Sequence, residues 1–126
     1  MDKTKDEGEK QAPRLKIREI KEIEAREWWD TNPELRFLVY GEPRNYGEQV
    51  INLLYTVGVE KVTITSDAIH HRGKGEEHVT SVRIYCEAEK EKDILAKLED
   101  AGGFSPNALW RHPSVGGFRC LELWWD

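Results

Sequence analysis

Residues Lys61–Glu87 read KVTITSDAIHHRGKGEEHVTSVRIYCE, two runs rich in Val, Ile, Thr and Tyr flanking Arg72-Gly73-Lys74-Gly75-Glu76. β-Branched and aromatic residues alternating with polar ones mark strands, and a glycine-rich gap marks the turn between them. The stretch is predicted to be a β-hairpin with a basic tip. Centring the turn on Lys74 pairs Val62 with Cys86, Ile64 with Ile84, Ser66 with Val82 and His70 with His78. Thr63, Thr65, Asp67, Ile69, Val79, Ser81, Arg83 and Tyr85 then share the second face. One face is apolar near the base and the other mixed, as in a sheet with one side on a core and one side open.

Working outward, Arg36–Gly41 (RFLVYG) is a short apolar strand, and Gly41-Glu42-Pro43-Arg44 a turn. Asn45 and Glu48 have the spacing of a helix cap. Tyr46, Val50, Leu53, Leu54 and Val57 then recur along one face of a helix that Gly58 ends. On the other side of the hairpin, Ile94, Leu95, Leu98 and Ala101 make one stripe of a second helix over 89–101, stopped by Gly102-Gly103. Ser105-Pro106-Asn107 opens a single turn around Leu109 and Trp110, and Phe118–Trp125 (FRCLELWW) is the last strand.

The order β-α-β-β-α-β with right-handed crossovers predicts an α+β, ferredoxin-like domain over 35–126: a four-stranded antiparallel sheet with two helices on one face. Its usual strand order sets the third and fourth strands on either side of the first, about 9.6 Å apart. That exceeds the roughly 7 Å a disulfide spans, so Cys86 and Cys120 are expected to be free thiols. Residues 1–12 mix both charge signs with almost nothing to bury and are expected to be a disordered tail. Residues 13–34 form an N-terminal arm, helical through most of 16–29 and broken at Thr31-Asn32-Pro33-Glu34.

The 126-residue chain carries a net charge of −5, and 34% of its residues are charged. Its mean hydropathy is −0.72. No apolar run approaches the roughly 18 residues of a membrane span, and the first residues hold no signal-peptide core. With two cysteines and no CxxC pair, the composition points to a cytoplasmic chain with reduced thiols. Scarce Gln beside abundant Lys, Arg and Glu is a thermophile-like pattern. Residues 31–126 hold 11 basic and 15 acidic residues, so any nucleic-acid contact must use a local basic patch.

No nucleophile, base and orienting group fall together in the sequence, so no enzyme is expected. His70 and His78, facing each other across the hairpin, are a candidate pair for zinc or copper. A third ligand is absent unless His112 or Glu76 folds in, and neither a metal nor another cofactor is expected. The loop Gly41–Gly47 enters a helix N-terminus, where Arg44 offers charge to an anion and Glu42 opposes it. Arg83 and Tyr85 on the open sheet face offer a guanidinium and a ring on which single-stranded bases stack.

Residues 37–69 (FLVYGEPRNYGEQVINLLYTVGVEKVTITSDAI) resemble the front half of Alba-type archaeal nucleic-acid-binding proteins. The similarity lies in the strand ending at Gly41, the loop proline, Asn45-Tyr46, the run Val50-Ile51-x-Leu53-Leu54, Gly58-Val59 and Val62-Thr63-Ile64. The hairpin through Ile84 is similar to the family's terminal arm. The resemblance implies that Arg44, Asn45 and Tyr46 at the helix entry, with Arg72 and Lys74 at the hairpin tip, contact a nucleic-acid backbone and its grooves. The expected function is thus a non-enzymatic RNA- or DNA-binding protein.

Five tryptophans support a second class. Trp28, Trp29, Trp110, Trp124 and Trp125 are of the type that anchors interfaces. They are consistent with a homodimer or with a regulatory subunit that binds another protein.

Overall fold

The computed structural model describes residues 20–39 and 42–125, and in it the Lys61–Glu87 hairpin is shared between two sheets. Its base is β3 (Lys61–Thr65) against β6 (Ser81–Glu87), with Val62 opposite Ile84. Its outer part is β4 (His70–Arg72) against β5 (Glu76–Val79), with His70 opposite His78. The tip register is the one expected. At the base the pairing is displaced by two residues, because the helical turn Ser66–Ala68 takes up chain that the returning strand matches only with Thr80. A displacement of two keeps every side chain on its own face, so the division into core and open sides survives.

The ferredoxin-like expectation fails on strand order. The five-stranded sheet runs β1-β3-β6-β8-β7, where β1 is Glu22–Glu24, β7 Ala108–Val115 and β8 Phe118–Trp124. All its pairs are antiparallel. The first expected strand is not in it. That segment, β2 (Arg36–Leu38), pairs in parallel with β5 and builds a separate three-stranded sheet, β2-β5-β4. It stops at Leu38 because Val39 takes a left-handed φ of 69°, which turns the chain out of extended structure.

Two further strands replace expected helix or loop. Ile23 sits opposite Ile64 while Glu22 and Glu24 face the other way, so this part of the arm caps the edge of β3. The arm's helix, α1, covers only Ala25–Thr31, and Glu24 caps it by accepting from the Glu27 amide. The disordered tail and the first part of the arm lie outside the described residues. At the other end, β7 and β8 form a hairpin across Gly116-Gly117, whose φ values of 58° and 85° suit a two-residue turn. Pro113 lies where the pairing becomes irregular, between His112 and Val115 on an edge strand, a position a proline tolerates.

The two expected helices are present as α2 (Arg44–Leu54) and α3 (Glu91–Glu99). Pro43 rather than Asn45 is the cap residue of α2, so Asn45 lies inside the first turn. One core joins them to the sheet: Trp28 and Trp29 of α1, Val50, Ile51 and Leu54 of α2, and Ile94 and Leu98 of α3 pack with Val62, Ile64, Val82, Ile84, Leu121 and Leu123. Trp28, Trp29 and Trp125 are 4%, 1% and 2% exposed, so three of the five tryptophans expected at an interface are core. Each such ring removes roughly 200 Å² from water, worth about 5 kcal/mol.

The thiols are free, for a different reason from the one expected. β6 and β8 are direct neighbours, not two strands apart. Cys86 pairs with Arg119 and Cys120 with Tyr85, which puts the thiols on opposite faces of the sheet. Both are buried, and burial raises both thiol pKa values. A disulfide reagent at pH 8 should leave both unmodified in the native protein and titrate two in urea; fast modification of either in the native state would contradict this packing.

α2 approaches β2 closely at Gly47. A Cβ there would stand 2.9 Å from the Leu38 amide nitrogen and 2.9 Å from the Trp29 ring. Gly47→Ala gains about 1 kcal/mol of helix propensity, but overpacking costs about 1–3 kcal/mol. We expect a net loss of stability, read as a lower urea midpoint; a raised midpoint would show that the contact is looser.

Candidate functional site

Alternation along five strands sorts the sheet into two faces. The helices cover the face of Val62, Ile64, Val82, Ile84, Leu121 and Leu123. The other face is polar and aromatic, and the register orders it in rows. Thr63, Arg83, Glu122 and Trp110 follow one another across β3, β6, β8 and β7, and Lys61, Tyr85, Cys120 and His112 form the next row.

The rows are tied together by one carboxylate. Glu22 on β1 accepts hydrogen bonds from Thr63 Oγ1 at 2.8 Å, from the Tyr85 hydroxyl at 2.7 Å and from Arg83 Nη1 at 3.1 Å. Arg83 Nε lies 3.5 Å from Glu122 Oε1, which is also 2.7 Å from His112 Nε2. A continuous polar chain, Glu22–Arg83–Glu122–His112, therefore crosses from one edge strand to the other. Burial opposes the charge of Glu22, but the bonds from Tyr85, Thr63 and Arg83 outweigh it and hold the carboxyl below its ordinary range. Burial and the bond to Glu22 raise the Tyr85 phenol.

This face also brings together a thiol, an imidazole and a carboxylate, which no sequence spacing indicated. His112 is the cross-strand partner of Cys120 and is held by Glu122. The set does not make a nucleophile. Cys120 is 3% exposed, and burial raises its pKa despite the Tyr85 hydroxyl and the Arg83 charge nearby. A protonated, enclosed thiol is inert at neutral pH.

The expected nucleic-acid contacts are divided among three places. Arg83 and Tyr85 share the open face, with Arg83 held between two carboxylates. Arg44 opens α2 and pairs with Glu48 at 3.7 Å. Asn45 follows it on the exposed surface. Tyr46 ties α2 to the turn after α3, its hydroxyl donating to Gly103 O at 3.0 Å and its ring 5.3 Å from Phe104. Arg72 lies opposite Glu76 at the hairpin tip, next to exposed Lys74. Because β2 runs parallel to β5, the helix-entry loop sits at the Val79 end of the small sheet and the tip at the other. The four residues of β5 separate them, about 13 Å.

His70 and His78 do face each other across β4 and β5. His78 is buried and stacks on Phe37, with centroids 4.8 Å apart. Among the described residues no three His, Cys, Asp or Glu side chains are grouped as a metal site. No helix among them is long and apolar enough to cross a membrane. Of the remaining tryptophans, Trp124 is partly exposed and Trp110 is 64% exposed, both on the open face.

No protein-family model, curated protein or solved structure matches the chain. The functional reading therefore rests on the geometry.

A carboxyl with a depressed folded pKa adds stability that is present above its unfolded value, about 4.3, and lost as pH falls through the folded one. Acidification from pH 6 to pH 3 should lower the melting temperature through this site. Glu22→Gln should cost on the order of 1 kcal/mol at pH 7 and flatten that acid dependence. An unchanged pH profile in the variant would remove Glu22 from its central place.

Proposed function

We propose that this chain is a non-enzymatic binding module that docks a protein partner on the open face and free edge of its five-stranded sheet. The observation that carries the reading is Trp110, 64% exposed on edge strand β7 beside the Glu122–His112 pair. Large exposed aromatics next to an arginine held by partners are what protein interfaces concentrate. Among the described residues β7 pairs only with β8, so its outer backbone is open to an added extended segment.

Charge favours a protein over a nucleic acid on this face. Its guanidinium, Arg83, is bracketed by Glu22 and Glu122; of the other basic candidates Arg44 and Arg72 stand beside or opposite acids, and exposed Lys74 is at the hairpin tip, away from this face. Exposed Lys61 adds one ammonium to this face, 5.5 Å from the Tyr85 ring centroid, and one ammonium is less than the several cations a phosphate backbone engages. The resemblance of residues 37–69 to Alba-type proteins supports the other class, and the test separates the two.

The wild-type chain and Trp110→Ala are immobilised and offered lysate of the native source, and bound proteins are identified. A partner retained by the wild type should be lost by the variant, with a drop in affinity of about 30-fold or more once purified. In parallel, tryptophan fluorescence follows titration with single-stranded RNA, single-stranded DNA and duplex DNA at about 50 and 200 mM salt. Binding that falls steeply with salt would overturn the protein reading in favour of nucleic acid, and equal retention of all proteins by both chains would overturn the docking role of Trp110.

A further inference from the structure

We propose that the groove between α3 and the C-terminal hairpin binds an amphiphile with one carboxylate head and an aliphatic tail, a medium-chain fatty acid. The groove lies on the helix-covered side of the sheet. Arg111 of β7 and Arg119 of β8 reach it because Trp110, His112 and Cys120 beside them take the open face. Two cavities of about 650 Å³ and about 340 Å³ make it up, and both are lined by Leu95 and Glu99 of α3, where they meet. Each falls within the range for ligand pockets, about 300–1,000 Å³. Glu91, Leu95 and Glu99 stand one turn apart along the wall, so the groove runs about 12 Å beside α3.

The head end has guanidinium in excess. Glu91 accepts from Arg111 Nε at 2.8 Å and lies 3.3 Å from Arg119 Nη1, and among the described residues neither arginine pairs with a second acid. One carboxylate thus draws two cations together and neutralises one. The Arg111 and Arg119 side chains remain 56% and 44% exposed, against 12% for Glu91, so their other N–H groups are open to the groove. A second carboxylate there offsets the remaining charge and accepts in the bidentate geometry that guanidinium favours. Exposed Lys92 adds a third cation to the same wall. The open face is the reverse, with two carboxylates on one guanidinium.

The tail end is apolar. Two residues along β7 from Arg111, about 7 Å, Leu109 joins Leu95, Leu98, Pro106, Ala108 and Leu123. Glu99, at the junction, is exposed and stays hydrated beside an aliphatic chain. With Glu91 and Glu99 set against three cations, the walls carry one net positive charge, which suits a single carboxylate rather than a polyanion. The backbone groups of α3 and of the β7–β8 ladder are already paired with one another, so a peptide laid between them would leave its amides without partners. An acyl chain has none to satisfy. Trp110 takes no part, so this site is independent of the docking face.

The test is solution NMR on the full chain. Sodium decanoate is titrated to about 2 mM, with acetate, octyl glucoside and decyltrimethylammonium as counter-probes at the same concentration. Decanoate should shift the Leu95 and Leu109 methyl resonances together with the Arg111 and Arg119 Nε–H resonances, and the shifts should saturate. Arg111→Gln and Arg119→Gln should each weaken decanoate about tenfold, since either leaves one guanidinium to hold Glu91 in the fold. Ala108→Glu, at an exposed position, sets a charge against the tail and should weaken it as much, while Trp110→Ala should bind like the wild type. Absence of a saturable shift with decanoate would overturn the proposal. So would an equal response to any counter-probe, or an affinity unchanged by the two arginine variants or by Ala108→Glu. Failure of partner capture would leave these readouts unaffected.

Discussion

The seven-residue ladder between β6 and β8, Ser81–Glu87 against Phe118–Trp124, is the constraint on which the rest depends. It sets Val82 against Leu123 and Ile84 against Leu121, the middle of the core. The alternate residues of the same ladder set Arg83 against Glu122 and Tyr85 against Cys120, the middle of the open face. Packing and candidate site are thus two sides of one set of backbone hydrogen bonds. With β8 beside β6, β2 has no place in the large sheet and becomes an edge of the small one. The Gly116-Gly117 turn then delivers β7, and with it Trp110 and His112, to the outer edge.

The open face carries an unusual density of partnered charge. Glu22 satisfies three donors from β3 and β6, and Glu122 bridges Arg83 to His112. Such a network fixes side chains in place without adding large net stability, since exposed ion pairs are worth little individually. It also neutralises the Arg83 guanidinium that a phosphate would seek, and leaves Lys61 over the Tyr85 ring as a single exposed cation in these rows. Aromatic side chains at the margin, Trp110 and the 36%-exposed Phe118, are left as the adhesive elements. The face is better suited to a partner of mixed polarity than to a polyanion.

The core side has its own buried carboxylate, which marks the limit of that face. Glu91, 9% exposed at the start of α3, accepts from Arg111 Nε at 2.8 Å and lies 3.3 Å from Arg119 Nη1. Both arginines belong to the C-terminal hairpin. The pair thus ties α3 to β7 and β8 where the apolar rows end, and a buried carboxylate with two guanidinium partners is adequately compensated.

The sequence by itself determined the local elements whose signals are periodic. The hairpin with its tip register, α2 and α3 with their apolar stripes, the strand at Phe118–Trp124 and the division of Lys61–Glu87 into two faces were all legible there. They were legible because side-chain alternation and helical repeats are properties of neighbouring residues. Three elements were not. Glu22–Glu24 is too short to alternate visibly and is a strand only because β3 offers an edge; β7 is masked by Pro113, acceptable only at an edge; and Ser66–Ala68 is a turn only because the hairpin changes sheets. The choice of β8 rather than β2 as the neighbour of β6 was made by long-range packing, since strand partners distant in sequence are selected by the shape of the shared core. For the same reason Arg83 and Tyr85 could be named from parity alone, whereas Glu22, His112 and Glu122, which complete the site, come from strands that only the tertiary structure brings beside them.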